Sequence, residues 1–121
     1  MIIKSHGFEE TVILKVREYA EGGSLCPYLF CTDWEPYGPL TRNLGVKVPP
    51  FCGYLDVNNL TNAQEFVREY GLGEPYLDPR TNLLVYGRSG FVTYPLYKFY
   101  PEKLKEHDPD GYEEYMAHLA M

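Results

Sequence analysis

The stretch Thr11-Val-Ile-Leu-Lys-Val-Arg-Glu-Tyr-Ala-Glu-Gly-Gly-Ser-Leu-Cys-Pro-Tyr-Leu-Phe-Cys-Thr32 decides how the chain is read. From Thr11 to Ala20, Val12, Leu14 and Val16 alternate with Ile13, Lys15, Arg17 and Tyr19, the period of two that gives a strand one apolar face. Glu21-Gly22-Gly23 supplies residues that accept positive φ in a tight turn. Ser24 to Thr32 is a second, aromatic-rich strand, so the pair predicts a β-hairpin. Ile2 to Phe8 offers a lead-in strand. Pro27 has no amide hydrogen to give to a ladder, which predicts that its nitrogen faces solvent, an edge or a bulge.

Outward from the hairpin, Asp33 to Pro39 has turn chemistry with Trp34 and Tyr37 embedded in it. Trp34 can serve either as a lid over the core or, exposed beside Tyr37, as a binding anchor. Leu40 to Val48 and Phe51 to Val57 are the third and fourth predicted strands. Asn62 to Tyr70 is a predicted helix, with Ala63, Phe66, Val67 and Tyr70 in one apolar stripe. Thr61 and Gln64 suit a capping box, and Gly71 suits the left-handed position beyond the last turn. Gly73 to Asn82 is expected as a loop. Leu83–Tyr86 and Phe91–Phe99 are expected as a hairpin around Gly87–Gly90, with Pro95 suggesting an edge position. Pro101 opens a short helix to Glu106, Asp108-Pro109 breaks it, and Asp110 is expected to cap a last helix carrying Tyr112, Tyr115, Met116 and Leu119 on one face. The order predicts a single α+β domain over residues 1–121. Its core, about 8–100, is an antiparallel sheet with one covering helix, and 101–121 is a helical acidic tail.

The 121 residues suit one domain, and 45% hydrophobic against 23% charged residues argue against disorder. No apolar run approaches a membrane span and the first residues do not resemble a signal peptide, so a cytoplasmic protein is expected. The net charge of −6 disfavours phosphate backbones, and no basic stripe offsets it, so direct nucleic-acid binding is not expected. Six acids (Glu102, Glu106, Asp108, Asp110, Glu113, Glu114) crowd the end of the chain against two lysines. They form either a solvated helical face or a contact surface for a basic partner.

Three cysteines, Cys26, Cys31 and Cys52, with no CxxC pattern, suit reduced, buried thiols. The histidines His6, His107 and His118 have no ligand partner at helical spacing, so neither a metal nor a cofactor is expected. Phosphate-binding loops and zinc-protease motifs are missing from the sequence. Twelve of the nineteen aromatic rings are tyrosines, a side chain suited to half-buried positions and to contact surfaces alike.

Leu40-Thr41-Arg42-Asn43-Leu44, Gly53-Tyr-Leu-Asp-Val-Asn-Asn59, Ala63-Gln-Glu-Phe66 with Gly71-Leu-Gly73, and Ser89-Gly-Phe-Val-Thr-Tyr-Pro-Leu96 together resemble a small bacterial and mobile-element family, domain of unknown function 4313. The likeness covers roughly residues 8 to 100 and brings no catalytic residues with it. It implies a small protein travelling with phages or conjugative elements, a setting where motif-poor single domains inhibit host defence, as anti-CRISPR proteins do. The expected function is therefore a non-enzymatic, protein-binding inhibitor or adaptor acting by steric occlusion. Its expected contact residues are Trp34, Tyr37, Arg88, Glu106, Asp108, Asp110, Tyr112, Glu113 and Glu114. A module binding a nucleotide signal through the tyrosines and Arg88 is the alternative, and a small enzyme the third.

Overall fold

A computed structural model describes all 121 residues. The α+β class holds, but the strands divide into two sheets. The first sheet has the order β1-β2-β3-β4, from β1 (Ile2–Ser5), β2 (Phe8–Glu18), β3 (Leu25–Cys31) and β4 (Pro36–Pro39), all antiparallel. The lead-in strand and the β2–β3 hairpin are both present, but the lead-in ends at Ser5 and Phe8 already belongs to β2, which starts three residues before the predicted Thr11. Val12, Leu14 and Val16 on β2 and Leu25 and Leu29 on β3 are buried, forming one wall of the core. Pro36 to Pro39, expected as turn, instead pairs with β3 across a bulge.

Leu40 joins the sheets. Its amide donates to the Pro27 carbonyl at 2.8 Å, and its own carbonyl accepts from the Asp56 amide, also at 2.8 Å. Pro27 lies on an interior strand, contrary to the edge expectation. With no donor of its own, it leaves the Leu40 carbonyl free to bond elsewhere. The chain therefore crosses into the second sheet at Leu40. There the expected strand Leu40–Val48 shrinks to β5 (Thr41–Arg42), which pairs with β6 (Cys52–Leu55).

The second sheet runs β5-β6-β9-β7, where β7 is Gly73–Pro75 and β9 is Val92–Phe99; β8 (Tyr86–Ser89) also pairs with β9. Both β7 and β8 lie along one edge of β9, since the Leu96 carbonyl accepts from Tyr76 and the Leu96 amide donates to Val85. They are one strand interrupted by an excursion at 77–84, closed by a Leu77–Leu84 bridge and by Asp78, which accepts from the Arg80 amide at 2.8 Å. The expected loop at 73–82 thus hides a strand. The hairpin turn is tighter than expected: Ser89 pairs with Val92, leaving Gly90 (φ 61°) and Phe91 as the turn. Pro95 is not on an edge strand. It falls where pairing between β6 and β9 stops, at Tyr54–Leu96. Both faces of this sheet are packed: Tyr97 and Phe99 join the main core, whereas Cys52, Tyr54, Tyr94 and Leu96 form a second, smaller one.

Helix α1 (Ala63–Glu69) buries Ala63, Phe66 and Val67 against the main core. Its N-cap is Asn62, without a side-chain bond, because the Thr61 hydroxyl accepts instead from the His6 amide at 3.2 Å. Its C-terminus closes as the sequence predicts: Gly71 (φ 61°) donates to Arg68 and Leu72 to Val67, the paired bonds of a Schellman motif.

The helices α2 (Pro101–His107) and α3 (Pro109–Leu119) are part of the body, not a tail: Leu104 and Tyr115 belong to the main core. Asp108, not Asp110, caps α3, through a bond from the Gly111 amide at 3.2 Å. The same carboxylate accepts from the Val16 amide at 2.9 Å and lies 3.7 Å from Lys15 Nζ. Because the chain preceding β2 reaches no further along it than the paired bonds between Met1 and Val12, this side of β2 beyond Val12 is open, and Asp108 satisfies the donor of Val16 there. Only glycine fits at 111, where a Cβ would meet both Asp108 and the Val16 carbonyl.

Two measurements test this account. Asp108→Ala strands two buried amides and a cation, so urea unfolding should show a loss of about 3 kcal/mol. Burial holds the His107 imidazole below its ordinary 6.5, with Glu106 opposing. Below about 6.5 the unfolded chain binds a proton that the folded one resists, so this contribution is intact at neutral pH and is lost on acidification. His107→Gln should reduce the fall in stability between about pH 7.5 and pH 5.5; an unchanged pH profile refutes the assignment.

Candidate functional site

Strand alternation that turns Val12, Leu14 and Val16 inward turns Ile13, Lys15 and Arg17 outward. The register sets Ile13 opposite Phe30 and Lys15 opposite Tyr28, so these side chains share the outer face of the first sheet. Tyr28 and Phe30 have ring centroids 5.0 Å apart, and Trp34 continues the row 6.1 Å from Phe30. Lys15 Nζ lies 5.2 Å from the Trp34 ring centre, and Arg17 Cζ lies 5.7 Å from that of Phe30. Both are cation–π distances.

Trp34 sits in the β3–β4 connection, where its amide donates to Cys31 at 2.9 Å and the Cys31 amide donates to Glu35 at 2.8 Å. This tight loop holds Trp34 at φ 68°, a left-handed conformation that costs a bulky residue about 1–3 kcal/mol. The indole is nonetheless 57% exposed, so it is no lid over the core. Lys15 reaches both the indole and Asp108, which makes Trp34 and the α2–α3 corner neighbours on one continuous surface.

The other expected contact residues scatter. Tyr37 is half-buried and packs on the main core, away from Trp34; burial raises its hydroxyl pKa, with Glu10 and Cys31 adding to the rise. Asp108 is 4% exposed and is consumed by the bonds above, so it is removed from the contact surface. Tyr112 stacks on Phe51 at 6.4 Å, and Glu106 pairs with Lys103 at 3.4 Å. Asp110, Glu113 and Glu114 are exposed and make no ion pair, leaving an acidic flank on α3. Arg88 lies on the second sheet, its Nε donating to the Gly90 carbonyl at 3.1 Å. Lys15, Arg17, Tyr28 and Phe30 were missed as surface residues. The alternation in β2 marks the two cations, but the two rings need the cross-strand register.

A polar cleft of about 470 Å³ between the sheets is lined by Tyr19, Tyr37, Thr41, Arg42 and Asp56 among others. Its polar groups are largely spoken for. The Tyr19 hydroxyl donates to the Thr41 carbonyl at 2.7 Å, and burial drives its pKa well upward. Asp56 accepts from the Asn59 amide and side chain at 3.0 and 2.9 Å. Cys26 and Cys52 are buried, as expected of small apolar side chains, and burial pushes the Cys52 thiol up to about 11 despite Lys98. No helix is long and apolar enough to cross a membrane.

A family model described as Domain of unknown function (DUF4313) matches residues 13–119. No curated protein and no solved structure matches the chain. The match runs from β2 to the end of α3 and so includes the helical segment that the sequence reading left outside the family likeness.

Trp34 is the chain's sole tryptophan, so its fluorescence reports on this face directly. The emission should be that of a water-exposed indole, strongly quenched by acrylamide in the folded state. Blue-shifted emission protected from the quencher would show the ring to be interior.

Proposed function

Because the chain belongs to the DUF4313 family, to which no activity is attached, we propose from its own surface a non-enzymatic protein-binding module of a mobile element. It inhibits a host-defence effector, in the manner of an anti-CRISPR protein, by covering a surface that the effector needs. The observation that carries this reading is Trp34, more than half exposed in a strained backbone conformation and framed by Phe30, Lys15 and the α2–α3 corner. A large ring on a rigid loop loses little side-chain entropy on contact, and Trp, Tyr and Arg are the residues that dominate binding hot spots.

Lys15 and Arg17 over the aromatic row, with Asp110, Glu113 and Glu114 on the flank, give the face both signs of charge close together. That pattern suits a folded protein with complementary charges better than a uniformly anionic polymer. The mobile-element setting rests on analogy with the family's context. The contact face rests on geometry.

Quantitative capture from bacterial lysate with the wild type, Trp34→Ala and Phe8→Ala as baits tests the proposal. Phe8, 79% exposed beside the β1–β2 turn, is a control for general stickiness. A specific partner should be retained by wild type and Phe8→Ala and fall about tenfold or more with Trp34→Ala. Equal recovery by all three baits would remove Trp34 from the proposed role.

A further inference from the structure

The second sheet carries a different surface. Leu77, Leu83, Leu84, Tyr86 and Phe91 are 45%, 66%, 49%, 54% and 98% exposed, and all belong to the 77–84 excursion or the β8–β9 hairpin. At ~200 Å² per large side chain they leave roughly 600 Å² in water, the upper end for an ordinary monomer. Between Leu72 and Tyr97 the charged residues are Glu74, Asp78, Arg80 and Arg88, a net of zero in a chain of −6. None of the four makes an ion pair within the chain. On this strip a second copy meets no net like charge.

Strand β8 is also an open edge. Val85 bonds to Leu96, and Gly87 and Ser89 follow it with the same backbone orientation toward β9. Tyr86 and Arg88 therefore direct their N–H and C=O groups away from the sheet. Their side chains share the other axis of alternation: opposite Pro95 and Thr93, they lie on one face, while Gly87 turns toward Leu44 and Tyr54.

We propose that this edge is a homodimer interface, in which β8 pairs antiparallel with β8 of a second copy across a two-fold axis at Gly87. In that register Tyr86 of each copy exchanges both backbone bonds with Arg88 of the other, making four bonds that join the two second sheets. Each guanidinium lies directly across from the other copy's Tyr86 ring, a favourable cation–π pair. The same register carries the Phe91 tip of one copy to Leu83 and Leu84 of the other, so the most exposed apolar groups cover one another. Complete cover of both surfaces would remove about 1,200 Å² from water, the lower bound for a specific interface. The neutral strip, the self-complementary Tyr86/Arg88 pattern and the unpaired edge all point to this occupant, and the interface leaves Trp34 outside it.

Sedimentation velocity and light scattering on the full chain read the outcome. The wild type should associate reversibly with concentration to twice 14.0 kDa. Arg88→Glu and Phe91→Ser change exposed side chains, and each should raise the dissociation constant at least about tenfold while leaving thermal unfolding of the monomer unchanged. The double variant Tyr86→Arg/Arg88→Glu sets opposite charges across the axis and should recover the dimer. A wild type that stays monomeric to about 1 mM overturns the proposal. A dimer indifferent to Arg88→Glu and Phe91→Ser does so equally.

Discussion

A single residue, Leu40, is hydrogen-bonded to both sheets, and the architecture follows from that arrangement. Its amide is held by Pro27 of the first sheet and its carbonyl by Asp56 at the border of the second. An amide donor at position 27 would compete for the Leu40 carbonyl and extend pairing between β3 and β4. Proline removes the competitor, and the strand turns into a new sheet with its fully buried leucine at the corner. The main core, with walls drawn from both sheets and from all three helices, fills the angle thus created.

That division also sorts the surface. The first sheet turns a row of rings and two cations outward on one side, while α3 brings three free carboxylates to its flank. The second sheet is packed on both faces over β6 and the end of β9, and exposes apolar residues only where β8 and the 77–84 excursion extend past that cover. The two surfaces differ in chemistry. One is charged and aromatic with a rigid indole; the other is neutral and leucine-rich beside an open strand edge. A small chain with two such surfaces can hold one contact without losing the other.

What was legible in the sequence was local. The β2–β3 hairpin, the stripe on α1 and its Gly71 terminus follow from periodicity and from the φ that glycine permits, and all are present. The division into two sheets was not legible, because it depends on a bond between residues 40 and 56 that no local pattern encodes. The strand β7 was hidden because Glu74-Pro75 has turn composition and owes its pairing to β9. Of the expected contact residues, Trp34, Glu106 and the exposed acids of α3 remain at the surface, and so does Arg88, but on the second sheet. Asp108 was misread because an acid in an acidic run looks solvated, whereas its partners Val16 and Lys15 lie more than ninety residues earlier. Charge composition counts carboxylates; it does not say which of them a distant amide will claim.

The reach of Asp108 back to β2 matters during synthesis. When the β2–β3 hairpin has left the ribosome, Asp108, which closes its free side, is still untranslated or inside the exit tunnel, because it follows the end of β3 at Cys31 by more than seventy residues. Through that interval the Val16 amide and its strand are available to any other nascent chain. A stall or premature stop before residue 108 releases a polypeptide whose hairpin and α1 can form but whose sticky side is never sealed, so truncated products should be far more prone to clump than their lost length alone implies.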